Sequence, residues 1–191
     1  AEALRTLGDR AYFYQTDISD AGAVDAAMDA AAGEFGGLNL AVGCAGVLGA
    51  GRVLGKNGPM PAEFFQKVIN INLVGSFLLS RAAARIMANN APDARGERGV
   101  IVHTASIAAY EGQFGQAAYS ASKAGIVGMI LPMAREFAKL GIRINAIAPG
   151  TVETPSRAAF FAAEPGARDT MLNRIPLRRF ATAGEVAGAV R

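Results

Sequence analysis

The chain has almost nothing with which to bind a metal or form a cross-link. Its 191 residues include a single cysteine, Cys44, and a single histidine, His103. One cysteine excludes an internal disulfide framework, and one histidine beside it argues against a structural zinc centre. Charge is scarce as well: Asp, Glu, Lys and Arg make up 18% of the residues and sum to a net +3. The Lys and Arg residues are scattered. The short cluster Arg174, Arg178 and Arg179 reads as a solvated face rather than a nucleic-acid patch. No apolar run is long enough to span a bilayer, and no signal peptide, internal repeat or linker between two domains is visible. The expected partners therefore include no metal, no nucleic acid and no membrane.

What the chain does have is apolar residues, 51% of the total, and a length that suits one domain with a sizeable core. Residues 1–191 are read as a single domain. Ala1–Arg10 reads as the end of a connecting helix and Ala11–Gln15 as a short strand. Asp20–Phe35 is an alanine-rich helix capped by Ser19 or Asp20. Leu38–Val42 is a buried strand, followed by a glycine-rich loop over 43–60. A long helix starts at Pro61, which suits a first helical turn, and reaches about Asn89. After a polar break, Val100–Ala105 is a strand, and a helix carrying Tyr119 runs to about Lys139 through Pro132. Ile142–Ile147 is a further strand ending at Pro149-Gly150. The tail is loop and short helices, with Thr182 and Glu185 spaced as a capping box. Alternating units of this kind predict an α/β fold with a parallel, doubly wound sheet.

The strongest chemical signal is Ser106, then Tyr119 thirteen residues on, then Lys123 four beyond. Helical residues four apart share a face, so Tyr119 and Lys123 point the same way. A phenol, with its ordinary pKa near 10, is a poor base, but a neighbouring ammonium favours the phenolate. Ser106, at the end of an apolar strand, can hold a substrate oxygen beside that phenol. The three form a proton-transfer site suited to an alcohol or a ketone.

With Asp17-Ile18 after a strand, Gly43-Cys44-Ala45-Gly46 after the next, Asn72 in a long helix, Pro149-Gly150 and Thr154, the chain resembles the short-chain dehydrogenase/reductase family over nearly its whole length. Within the family, Gly99–Pro155, and Gly112–Arg135 above all, is similar to the type 2 3-hydroxyacyl-CoA dehydrogenases. The resemblance implies a Rossmann-like sheet truncated at both ends, because the glycine-rich turn that opens a dinucleotide fold is not found before Asp17. The chain is accordingly expected to be a fragment whose first strand has no neighbour to pair with. The expected compartment is the cytoplasm, with the mitochondrion left open.

The resemblance also assigns roles. Tyr119 is the general acid/base, Lys123 lowers its pKa and binds the nicotinamide ribose, Ser106 polarises the substrate oxygen, and Asn72 interrupts its helix and holds a relay water. A solvent-facing Asn72 is the ordinary alternative. Asp17 would accept from the adenine amino group and Ile18 line the adenine pocket, although Asp17 could equally cap a helix. Cys44, Ala45 and Gly46 let the cofactor approach the backbone, though a tight turn alone also selects glycine. Gly43 departs from the family's usual Asn and loses a side-chain tie between strands. Pro149, Gly150, Val152 and Thr154 line the nicotinamide end, and Val152–Phe180, with Phe160 and Phe161, closes over the substrate. The implied cofactor is NAD, with NADP left open, and the implied reaction interconverts a secondary alcohol and a ketone. The expected substrate is a 3-hydroxyacyl-CoA thioester of lipid metabolism, whose phosphates Arg174, Arg178 and Arg179 could meet. A 3-oxoacyl carrier-protein reductase, another short-chain alcohol dehydrogenase, or a non-catalytic nucleotide-binding relative are the alternatives. Apolar helix faces over Ile69–Leu79 and Gly125–Met133 imply a homotetramer or homodimer.

Overall fold

The computed structural model describes residues 7, 8 and 10–190; most of the helix end expected over 1–10 lies outside them. Helix α1 spans Ala21–Phe35, and Asp20 caps it by accepting from the Ala23 N–H at 2.9 Å. Strand β1, Leu40–Gly43, follows. The loop after it contains an unexpected short hairpin, β2 (Leu54–Gly55) against β3 (Gly58–Pro59). The long helix expected from Pro61 is three pieces. Helix α2 covers Ala62–Ile69, a π-helical turn covers Asn70–Val74, and helix α3 covers Gly75–Met87. Strand β4 is Gly99–Thr104, helix α4 Ala117–Phe137 and strand β5 Ile142–Ile147. The tail forms helices α5 (Pro155–Ala163), α6 (Ala167–Leu172) and α7 (Ala183–Gly188), the last opened by the Thr182–Glu185 capping box.

The main sheet has three strands in the order β1-β4-β5, all parallel. A parallel sheet must be covered by crossover helices, and its central strand shows this: Gly99, Ile101, Val102 and His103 of β4 are buried. The core joins Ala41, Ile101, Ile142 and Ile144 of the sheet to Ala83, Ala84 and Met87 of α3. A second cluster, Val24 with Leu78 and Ala82, seats α1 on α3. Ala11–Gln15 is not a strand. No described segment offers it a ladder of hydrogen bonds, Tyr12, Phe13 and Tyr14 are exposed, and the Tyr12 ring packs edge-on against Phe35 instead.

Candidate active site

The carboxyl ends of the parallel strands carry the residues singled out by sequence. Cys44-Ala45-Gly46 follow β1, Ser106 follows β4 and Pro149-Gly150 follow β5. Ligands of open α/β sheets bind in the crevice beyond these ends.

Asn72 is fully buried in the π turn, which removes the solvent-facing alternative. Its Oδ1 accepts from the Val47 N–H at 2.8 Å, and its Nδ2 donates to Val47 O at 2.9 Å and to Ser122 Oγ at 3.0 Å. Both amide hydrogens are thus committed. Asn72 fastens the loop after β1 to α4, and a water could bond it only by sharing an oxygen that already accepts one hydrogen bond. A π turn spends helix regularity on one extra residue, a cost that recurs at functional sites.

Lys123, 6% exposed, donates from Nζ to Thr104 O at 2.6 Å and stands 5.7 Å from the centre of the Tyr119 ring. Burial pushes the Lys123 ammonium below the ordinary lysine value, and the neighbouring Cys44 thiol offsets part of that. Ser106 opens the 3₁₀ turn Ile107–Ala109, its Oγ accepting from the Ala108 N–H at 3.1 Å. Its own hydroxyl hydrogen goes to no described protein acceptor and is available to a substrate oxygen. Ser106 and Tyr119 line one cavity of about 140 Å³ with Gln113, Gly150, Thr151 and Arg157. The bonds from Ala105 N–H to Ile147 O (2.8 Å) and from Ile107 N–H to Pro149 O (3.1 Å) hold the Ser106 turn against the end of β5.

The cofactor residues fall into two places. Ile18, Cys44 and Ala45 line a small cavity of about 120 Å³ with Gly75 and Leu79. Asp17 beside it is exposed and accepts from the Ser19 hydroxyl (2.7 Å) and N–H (2.9 Å), which hold its carboxyl below the usual range. It is Asp20, not Asp17, that caps α1. A Cβ on Gly46 would lie 3.2 Å from Asn72 Oδ1 and 3.9 Å from Lys123 Nζ. Bareness at that position keeps the crevice open beside the lysine, which fits a nucleotide passing close to the backbone. Val152 and Thr154 sit farther out. Val152 bridges to Ala181, and Thr154 caps α5 through the Arg157 N–H.

Thr154 also lines a cavity of about 520 Å³ with Arg157, Phe161, Arg168 and Phe180. Phe161 stacks on Phe180 at 5.3 Å, and the Arg157 guanidinium stands 5.8 and 6.0 Å from the Phe160 and Phe161 ring centres. Of the arginines expected to meet phosphates, Arg179 is paired with Glu185 at 2.7 Å and Arg178 donates to Asn173 at 2.6 Å. Sequence reading missed the carbonyls of Thr104 and Val47 and the hydroxyl of Ser122. Backbone oxygens carry no sequence signal, but Ser122 adjoins Lys123 on the same helix and could have been examined for that reason. Among the described residues, no helix is long and apolar enough to cross a membrane, and no three His, Cys, Asp or Glu gather as a metal site.

The family model described as enoyl-(acyl carrier protein) reductase matches residues 1–191. The chain belongs to the short-chain dehydrogenase/reductase family. A 3-hydroxyacyl-CoA dehydrogenase type-2 of Drosophila melanogaster is 49% identical over 160 residues, which are 83% of this chain and 63% of that family member. The crystal structure of a 3-hydroxyacyl-CoA dehydrogenase type-2 from Mycobacterium avium superposes with a TM-score of 0.84 at 39% identity, covering 97% of this chain and 71% of that one. ElxO with NADP bound, another solved family structure, gives a TM-score of 0.82 at 27% identity over 94% of this chain and 68% of its own. The match thus spans about three fifths of the length of the type-2 dehydrogenases of Drosophila melanogaster and Homo sapiens.

Proposed function

We propose that the protein is a nicotinamide-dependent dehydrogenase that interconverts a secondary alcohol and a ketone, with 3-hydroxyacyl-CoA thioesters as substrates and NAD as cofactor. The observation that carries the reading is the Ser106 hydroxyl with an uncommitted hydrogen, sharing a cavity with Tyr119 while the Lys123 ammonium stands under the Tyr119 ring. The bound nicotinamide supplies the hydride acceptor or donor. Everything else falls to the side chains. Ser106 donates to the substrate oxygen and fixes it beside the Tyr119 hydroxyl. Tyr119 takes the hydroxyl proton as the alcohol becomes a ketone and returns it in the reverse direction. Lys123 stabilises the phenolate between those events. Thr104 O orients the ammonium, and Asn72 holds loop and helix together around it, a relay water sharing an Asn72 oxygen that already accepts one hydrogen bond.

Similarity to the type 2 dehydrogenases supports the thioester, and so does the cavity walled by Phe161 and Phe180, which suits an acyl chain. Arg174, with no protein partner among the described residues, remains for a phosphate. NAD is preferred on the same similarity, while ElxO, with NADP bound, keeps NADP as the comparison. Val74, Phe77 and Leu131 are exposed on the helix faces flanking the site, which supports a dimer or tetramer built there.

The test is kcat/KM of the full-length protein for acetoacetyl-CoA, for the same acyl group on carrier protein and for a simple ketone, with NADH and then NADPH. An advantage for CoA over both supports the thioester assignment. Equal values leave only alcohol–ketone chemistry, preference for carrier protein transfers the assignment to a reductase of that class, and cofactor binding without turnover identifies a non-catalytic relative.

A further inference from the structure

A line of buried polar groups runs behind the site and belongs to none of the roles above. The Ser76 hydroxyl donates to Asn72 O at 2.6 Å, the Ser80 hydroxyl donates to Ser76 O at 3.1 Å, and Ser80 Oγ lies 2.6 Å from His103 Nε2. Asn72, Ser80 and His103 are fully buried and Ser76 is 8% exposed. The spacing of four puts Asn72, Ser76 and Ser80 on one helix face, and serines there commonly bond back to the carbonyl four residues earlier. A hydroxyl has one hydrogen to give. With the Ser80 hydrogen assigned to Ser76 O, the proton of the shared bond is assigned to Nε2–H of a neutral imidazole. Nδ1 is then a bare acceptor, and it has no partner among the described residues.

Nδ1 points at Gly43. The two residues are register partners across β1 and β4, and a Cβ on Gly43 would lie 2.4 Å from Nδ1 and 3.1 Å from Cε1. The ring occupies the place of a side chain at 43. The far side of His103 is equally well connected, because the next residue, Thr104, supplies the carbonyl that holds Lys123. The line therefore begins at the buried Asn72 and ends one residue from the lysine's acceptor, tying α3 to β4.

We propose that His103, Ser80 and Ser76 are positioning residues that hold the Asn72 turn in register with the Thr104–Lys123 contact, in a space that only glycine at 43 leaves open. This inference rests on the dehydrogenase reading of the site. The helix end and the strand end that carry Asn72 and Lys123's acceptor belong to separate elements, and a displacement of about 1 Å between reacting groups can cost a hundredfold in rate. Glutamine can replace the Nε2 donor of His103, whereas alanine cannot.

The experiment uses the full-length protein with His103→Gln, His103→Ala and Ser80→Ala, the last a small change expected to fold, and Gly43→Ala in both the wild-type and His103→Ala backgrounds. For His103→Ala and Ser80→Ala, kcat per folded protein should fall at least about tenfold while KM stays within about threefold, and His103→Gln should stay within about threefold of wild type in both. Gly43→Ala should lower Tm in the wild-type background and much less in His103→Ala, a coupling that needs no activity to be read. Activity lost only in proportion to unfolded protein, a His103→Gln variant as poor as His103→Ala, or additive Tm changes each overturn the proposal. A wild-type protein that turns over no alcohol or ketone removes the dehydrogenase reading itself, a result distinct from an active wild type whose kcat ignores His103.

Discussion

A charge on His103 would sit in the interior beside a second positive charge, that of Lys123. Burial first, and the Lys123 charge second, push the His103 pKa from 6.5 to about 4. The ring lies fully inside, against Ser80 on one side and Gly43 on the other, and among the described residues no anion stands beside it to balance a charge. A folded-state pKa below the unfolded one means that the unfolded chain binds the extra proton first. Stability is therefore intact above the unfolded pKa of 6.5 and falls as pH drops toward the folded value of about 4. At one pKa unit per 1.36 kcal/mol, the full loss is about 3 kcal/mol, of which about 2 kcal/mol has gone by pH 5. Carboxylates also begin to titrate in this window, so the measurement is a difference. Urea unfolding of full-length wild type and His103→Gln at about pH 7.5 and pH 5 should show wild type losing about 2 kcal/mol more per chain. Equal losses in the two proteins would refute the reasoning, because they would place the histidine's proton within reach of solvent or of a partner in both states.

Other outcomes follow from single contacts. Tyr119→Phe keeps the ring but removes the transferable proton, so kcat should fall about 10²–10⁴-fold with the circular dichroism spectrum unchanged. Gly75→Ala would place a Cβ 2.9 Å from Ile18 Cγ1. Overpacking of that kind costs about 1–3 kcal/mol, which urea unfolding should read as lost stability. Thr182→Ala breaks a capping box in which Thr182 Oγ1 accepts from the Glu185 N–H at 3.2 Å and Glu185 accepts from the Thr182 N–H at 2.8 Å. Hydrogen exchange over α7 should report a loss of about 1 kcal/mol in local stability.

What could be read from sequence was whatever side-chain pattern alone decides. β5 was expected over its observed residues, and the Thr182 capping box and the Asp20 cap rest on local chemistry that tertiary context did not override. Ser106 and Tyr119 meet at one cavity, as strand-end and helix-face placement implied, and Gly150, assigned by the resemblance, lines it beside Thr151, which was not singled out. Ala11–Gln15 was expected to lack a neighbour, and it is accordingly not a strand: a strand is a relation between two segments, and among the described residues none pairs with this one. The β2–β3 hairpin was hidden in a glycine-rich loop without alternating hydrophobic residues. Asn72 was singled out by the resemblance, but the Val47 N–H and carbonyl and the Ser122 hydroxyl that fix its orientation come from loop and helix positions far away in sequence. His103 was weighed as a metal ligand and set aside, and only the strand register reveals that its ring fills the gap at Gly43.

The π turn at Asn70–Val74 makes chain length at this point a matter of rotation. An α-helix turns about 100° per residue. Deleting one residue from Asn70–Val74 would let α2 and α3 merge into a straighter, better-bonded helix, and it would also swing Ser76 and Ser80 about a quarter turn away from His103. The helix would gain regularity while the site lost its alignment. Insertions and deletions should accordingly be tolerated in the hairpin loop around Lys56-Asn57, which is exposed, and rejected within these five residues, where the least regular stretch of helix has the least freedom in length.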